Sequence, residues 1–450
     1  MSQASRVFRN AGWAVPERHG GRHPAALALW LALVFGLVAD CVAAGDGQAV
    51  GQAVGQAGGQ ASGTTVLIGG ALRDDNDAVW SRLVSLAGGP GARWAVLPTA
   101  SAEPEAAAAA IASNLRRHGA RTEVIAVAPL WPGIDAQAAA RDAAWAARVR
   151  ACQGVFFSGG AQARLVDTLQ PGGRSTPVLD AVRSVLASGG VVAGTSSGAA
   201  VMSRTIFLDA PDVLAALKGR LREGFEVGQG FGLLPSRVVD GLVVDQHFLK
   251  RGRIGRLLPL LASRQLPLGL GVEENSAAIV AEDGFEALGA RGVVLLDLRD
   301  AKTEGRAPGE PFAARGVRIS YLASGDRYEW ATHRLHPAKP ESARLVAAPA
   351  RAADPPAFYA DVLADGVLYT AMAGLVDSAR QQALGLAFTA LAAPDDPAPD
   401  LAFEWRLSKA ADTAAWLPGP TGARDLSIAN LRLDVRPVRL ARPLTTPWLP

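Results

Sequence analysis

The sequence predicts an α/β fold, a mostly parallel sheet with helices on both faces, followed by a small C-terminal unit. Three observations predict it. Short apolar runs alternate with amphipathic stretches from residue 64 to about 193. The runs are continuously apolar rather than alternating, as in strands buried on both faces. Gly-rich turns close the most informative runs, at the carboxyl ends where such sheets build their sites.

In order, residues 65–68 read as a β-branched strand ending at Gly69-Gly70, and 78–86 as a helix stopped by Gly88-Gly89. Residues 94–97 form a second strand closed by Pro98. Residues 106–117 form a helix capped by His118-Gly119. A third strand is expected at 124–127 and one helix over 136–150. A fourth strand spans 154–157 and ends at Ser158-Gly159-Gly160. Helices over 163–169 and 178–186 lead to a fifth strand at 191–193. Further strands are expected before His247, at 268–272, at 293–298 and at 317–322. Residues 338–356, rich in Pro and Ala, read as a linker, and 394–399 as a loop.

Composition narrows the function. The chain has 450 residues, 49% apolar and 19% charged, enough for a large core. Two cysteines exclude a disulfide scaffold and a multi-cysteine zinc module. The net charge of +3, without a dense basic run, argues against a nucleic-acid partner. No metal or other cofactor is expected, because the histidines are scattered.

The N-terminus reads as an address. Arg6, Arg9, Arg18 and Arg22 precede an apolar run over 25–39, too short for a comfortable membrane span, and Val42-Ala43-Ala44 follows. This predicts a signal peptide over 1–44 and export to the periplasm or the exterior. Under a second reading, Val38-Ala39-Asp40-Cys41 is a loose lipobox that would leave a lipid anchor on Cys41. Residues 45–63, a Gly/Gln/Ala repeat, form a low-complexity linker. No transmembrane anchor is expected after processing.

The strongest chemical signal is Gly194-Thr195-Ser196-Ser197-Gly198, directly after a buried strand. This is the strand–turn–helix setting of a nucleophile elbow. It exposes Ser196 and aims the amide of Ser197 at an oxyanion. A serine nucleophile needs a base. Of six histidines, His19 and His23 leave with the signal and His118 caps a helix. His247, in Asp245-Gln246-His247-Phe248 at a strand end, is preferred over His333 and His336. The base needs an orienting carboxylate. Glu274 is preferred, with Glu273 and Asp245 as competitors. The glycine amides of Ser158-Gly159-Gly160-Ala161-Gln162 supply a second oxyanion donor at Gly160, and Gln162 is placed to touch substrate. Arg251, Arg253 and Arg256 follow the base closely and suit carboxylates.

Together these motifs resemble the cyanophycinases, serine peptidases of the same family as the aspartyl dipeptidases called peptidase E. The matching residues are Phe157-Ser158-Gly159-Gly160-x-Gln162, Gly194-Thr195-Ser196-x-Gly198-Ala199, Asp245-Gln246-His247-Phe248, Arg251-x-Arg253-x-Gly255-Arg256 and Glu274-Asn275. The similarity covers roughly residues 64–336. The resemblance implies a fold like class I glutamine amidotransferases and a Ser196–His247–Glu274 triad. It also implies a substrate pocket of Gln162, Asp245, Gln246, Arg251, Arg253 and Arg256. The implied activity is hydrolysis of cyanophycin, a polyaspartate carrying arginine on each side chain, to β-Asp-Arg dipeptides. The alternatives are a peptidase for aspartyl or isoaspartyl dipeptides and a catalytically idle binding protein of the same fold. Three departures stand out. Ala161 replaces the family's usual acid, Ser197 its usual alanine, and Pro259 interrupts the helical stretch after Arg256. The expected domains are a peptidase domain over 64–340, a linker over 341–356 and a small extension over 357–450. The expected partners are the peptide substrate and, as an admitted assembly, a second copy of the chain.

Overall fold

The computed structural model describes residues 63–305, 307–345, 354–390, 396–417, 426–441 and 444. The expected signal peptide, Cys41, nearly all of the low-complexity linker and half of the 341–356 linker lie outside the described residues.

The first half follows the alternating order. It runs β1 (Thr64–Ile68), α1 (Asp77–Leu86), β2 (Arg93–Leu97), α2 (Pro104–Arg117), β3 (Arg121–Val124), α3 (Ala136–Arg141) and α4 (Ala143–Arg150). There follow β4 (Gly154–Phe157), α5 (Gln162–Leu169), α6 (Pro177–Ala187), β5 (Val191–Thr195) and α7 (Ser197–Ala200). A small antiparallel pair, β6 (Thr205–Phe207) and β7 (Val227–Gln229), brackets α8 (Val213–Leu217). The second half holds β8 (Leu242–Gln246), α9 (Ile254–Arg264), β9 (Leu268–Val272), β10 (Ser276–Val280), β11 (Gly284–Gly289), β12 (Val293–Asp297) and β13 (Lys302–Glu304). Then come β14 (Ala313–Leu322), β15 (Arg327–Glu329), β16 (Arg334–His336), β17 (Ala357–Tyr359), α10 (Val367–Val376), β18 (Gln382–Ala387), β19 (Leu401–Ser408), β20 (Ala414–Trp416) and β21 (Ser427–Arg439).

The first sheet has the order β16-β15-β11-β10-β1-β5-β4-β2-β3. Its strands β1, β5, β4, β2 and β3 are parallel, and the remaining pairings are antiparallel. Successive residues point to opposite faces, so both faces of the parallel part are apolar. Val66, Ile68, Trp94, Val96 and Phe156 pack under α1 and α2, where Phe156 stacks on Trp80 with ring centroids 5.8 Å apart. Leu67, Leu97, Val155, Phe157 and Val192 pack under α4, α5 and α6. The parallel part is the helix-covered sheet that the alternation predicts.

The second sheet, β17-β18-β19-β21-β14-β12-β9-β8, is mostly antiparallel, with parallel pairs at its two ends, β17–β18 and β9–β8. The described strands β17–β21 and α10 therefore share a core with β8, β12 and β14, in a sheet that also holds β9. β21 pairs with β14, Val317 opposite Leu433 and Ile319 opposite Leu431, while α10 packs beneath. This pairing covers the edge of the ten-residue β14, and its apolar face, Val317, Ile319 and Tyr321, packs in one cluster with α10.

Local departures from the sequence reading have physical causes. The single helix expected over 136–150 is two, because Asp142 turns extended and its carboxylate caps the amide of Ala144. β3 lies at Arg121–Val124, and the apolar residues 125–128 are buried in the chain that leaves it. α9 is not interrupted at Pro259. Pro259, in the second turn, gives up the bond to the carbonyl of Gly255, and buried Leu257, Leu258, Leu260 and Leu261 hold the helix.

Candidate active site

Carboxyl ends of strands from both sheets converge on one point. β5 ends at Thr195, and the chain makes a sharp turn at Ser196, with φ 52° and ψ −119°, before entering α7. A non-glycine residue reaches such angles only under strain from its surroundings. Here the Ser196 amide is tied to the carbonyl of Ile68 at 2.9 Å. The turn also requires its flanking glycines. A Cβ on Gly194 would sit 2.2 Å from the carbonyl oxygen of Gly198, and one on Gly198 would sit 2.5 Å from that of Phe157.

The Ser196 hydroxyl lies 2.9 Å from His247 Nε2, and His247 Nδ1 lies 2.7 Å from Glu274 Oε1. The three residues are 51 and 27 positions apart in sequence, so only the fold assembles them. His247 follows the end of β8, with φ 49° and its amide held by the carbonyl of Gly69. Burial pushes its imidazole pKa below the usual range. The hydrogen bond to Glu274 opposes this, and the charges of Arg251 and Arg253 add to it. The histidine is thus kept neutral and able to accept a proton.

Between the competing glutamates, geometry decides. Successive residues after β9 point in opposite directions. Glu274 meets His247, whereas Glu273 turns inward to accept the amide of Leu249 at 2.7 Å. Burial pushes the Glu273 carboxyl up to about 7.

The Ser158–Gln162 loop sits beside the nucleophile. A Cβ on Gly159 would lie 3.2 Å from the Cβ of Ser196. Ser197, first residue of α7, has an amide without a partner inside that helix. Its hydroxyl donates to the carbonyl of Gly160 and lies 2.9 Å from Oε1 of Gln162. A single side chain thereby ties together the two segments expected to hold an oxyanion.

The remaining predicted site residues separate into two groups. Gln162 is half-buried, and Arg251 is exposed close to the imidazole. Asp245, Gln246, Arg253 and Arg256 instead form a buried cluster beneath the base. Arg256 reaches both oxygens of Asp245, at 2.7 and 2.6 Å, and lies over the ring of Phe207. Arg253 Nη1 lies 3.3 Å from the same carboxylate and donates to the carbonyl of Gln246 at 2.8 Å. Burial lowers the Arg253 pKa to about 10. Asp245 offsets one of the two buried guanidinium charges, and the cluster, held by its own contacts, shapes the loop that carries His247 and leaves a net positive charge beneath the base.

The other described histidines have places of their own. His118 lies at the C-cap of α2, bonded to the carbonyl of Asn114 and to Asp77. His336 is on β16, at the outer edge of the first sheet, and His333 lies just before that strand. Cys152 is buried, with its thiol raised to about 11, which makes it a poor nucleophile.

Gly70 adds a contact to the base that its place in a Gly-Gly turn does not announce. It packs so closely on His247 that a Cβ there would lie 2.2 Å from the imidazole Cε1. Its carbonyl also accepts the amide of Asn275, just after Glu274. The sequence signal was the Gly-Gly pair ending β1, one of many in a chain with 49 glycines.

A strained serine on a strand–helix turn, hydrogen-bonded to a histidine that is itself bonded to a carboxylate, is the equipment of a serine-type peptidase. The profile of Peptidase family S51 matches residues 65–288. A cyanophycinase of Synechococcus elongatus is 30% identical over 283 residues, covering 61% of this chain and 81% of that protein. One of Geminocystis herdmanii is 29% identical over 279 residues, covering 60% and 95%. The chain belongs to peptidase family S51. Among solved structures, a peptidase from an acI-B1 Actinobacterium is similar at a TM-score of 0.44 and 20% identity, covering 60% of this chain and 98% of that one.

Proposed function

We propose that the chain is an exported serine peptidase that hydrolyses cyanophycin to β-Asp-Arg dipeptides. The observation that carries the reaction is the continuous hydrogen-bonded line Ser196–His247–Glu274. The cyanophycinases among its relatives and the exposed Arg251 beside the base support the substrate. The leader-like run over 25–39 supports export.

In this reading Ser196 Oγ attacks the peptide carbonyl as its proton passes to His247 Nε2. Glu274 fixes the tautomer and steadies the imidazolium. The amides of Gly160 and Ser197 hold the oxyanion. The imidazolium returns its proton to the leaving amine, and water then releases the acyl-enzyme by the same route in reverse. Arg251 pairs with a carboxylate of the aspartate-rich substrate.

Purified protein should clear a cyanophycin suspension and release dipeptides. Ser196→Ala should lower that rate by about 10⁶-fold, as the loss of a serine nucleophile does elsewhere. Activity on aspartyl dipeptides but not on polymer would replace the substrate and keep the mechanism. Ala161, without the acid that would meet the substrate's guanidinium, is the feature that favours this second reading.

A further inference from the structure

A second polar cavity, of about 340 Å³, lies next to the triad but outside it. It is formed where the loop after β8, the end of β9 and the start of α10 come together, and none of Ser196, His247 or Glu274 lines it. Most of its lining, including Arg291, Tyr321, Asp365 and Tyr369, lies beyond the residues matched by the family profile. Its volume is within the range of small-molecule sites.

The walls carry opposite charges that do not meet. Glu273 is 2% exposed and gives one oxygen to the amide of Leu249. Among the described residues the Arg291 guanidinium has neither an ion pair within 4 Å nor a hydrogen bond, although its charge opposes the upward shift of Glu273. Asp365, on the same wall, is bonded to Lys250. Tyr321 and Tyr369, with ring centroids 4.6 Å apart, add an aromatic flank.

The charges select the occupant. A simple anion would satisfy Arg291 and leave the Glu273 carboxyl unmatched. A simple cation would do the reverse. A molecule carrying both charges, spaced by an aliphatic segment that lies on the tyrosine rings, satisfies both. We propose that this cavity binds a small zwitterion, an amino acid or dipeptide whose carboxylate meets Arg291 and whose cationic end meets Glu273. The site is placed to act on the triad. Glu273 is bonded in sequence to Glu274, and the Leu249 amide that it holds is two residues beyond His247.

The test is calorimetric titration of L-arginine into the full chain carrying Ser196→Ala. Agmatine, which keeps the guanidinium and lacks the carboxylate, is the comparison. L-Arginine should bind, and agmatine should bind at least about tenfold more weakly, the expected loss for one charge-assisted contact. Arg291→Met and, independently, Glu273→Gln in the same background should each weaken arginine by at least about tenfold. Glu273→Gln keeps an acceptor for Leu249 and tests the site should Arg291→Met fail to fold. Absence of arginine binding, equal binding of agmatine, or undiminished binding in folded variants overturns the proposal. Undiminished binding would place arginine at the catalytic site. Because Ser196→Ala protein is used throughout, the result is independent of whether cyanophycin is the substrate.

Discussion

At the scale of single residues, the site depends on small differences of orientation. His247 must be neutral to take the proton of Ser196, so activity falls as pH drops through its pKa. Burial, joined by Arg251 and Arg253, places that pKa below the usual histidine range, and the acid limb of the kcat/KM profile should lie below about 6.5. Arg251→Gln removes a positive charge, raises the histidine pKa and should move the acid limb to higher pH. A limb that moves down would contradict the electrostatic account. Ser197 is a positioning residue of another kind. Its hydroxyl holds the Gly160 peptide and contacts Gln162. Ser197→Ala should lower kcat about tenfold, less than deletion of an oxyanion donor, with KM nearly unchanged and thermal stability retained. A rise in KM without loss of kcat would assign the hydroxyl to substrate binding instead.

At the scale of elements, each functional residue is delivered by a strand end and fixed by its neighbours. The β8–α9 segment shows what the fixing costs. Asp245 and Arg256, 1% and 2% exposed by side chain, neutralise each other beneath the base. Arg256→Met leaves a buried carboxylate with only Arg253 and backbone contacts. It should destabilise the protein by about 3–5 kcal/mol in denaturant melts, more than loss of a surface ion pair. A change below about 1 kcal/mol would show that water reaches the cluster. The strands and the elbow were legible because apolar runs and glycine turns are local signals. The burial of Asp245 and Arg256 was not, since Arg-x-Arg-x-Gly-Arg beside a histidine reads equally well as a ligand grip. Only the turn after β8 decides which way each side chain faces. The break at Asp142 was similarly hidden, because an aspartate inside an alanine-rich run gives no warning that it will cap a new helix.

At the scale of the whole molecule, strands of the C-terminal fifth complete the second sheet. β21 covers β14 along an apolar stretch, and Lys218 and Arg220 grip Asp396 across about 180 residues of sequence. A chain ending at residue 356 would expose the edge of β14 and the apolar face that packs under α10. Such a truncation should be recovered mainly in aggregates, seen by size-exclusion chromatography. A soluble, active monomer would show that the second sheet is stable without β21.

The sequence by itself determined the alternating elements and the nucleophile turn, and narrowed the base to a strand-end histidine and its carboxylate to the neighbouring acids. Each of these is written in short runs whose period or turn chemistry acts locally. Tertiary structure alone decided which of two adjacent glutamates meets His247 and which arginines are spent inside. It also brought β17–β21 onto the same sheet as β14 and opened a charged cavity beside the triad. Those outcomes depend on pairing and on side-chain direction between residues far apart in the chain, and no local pattern carries that information.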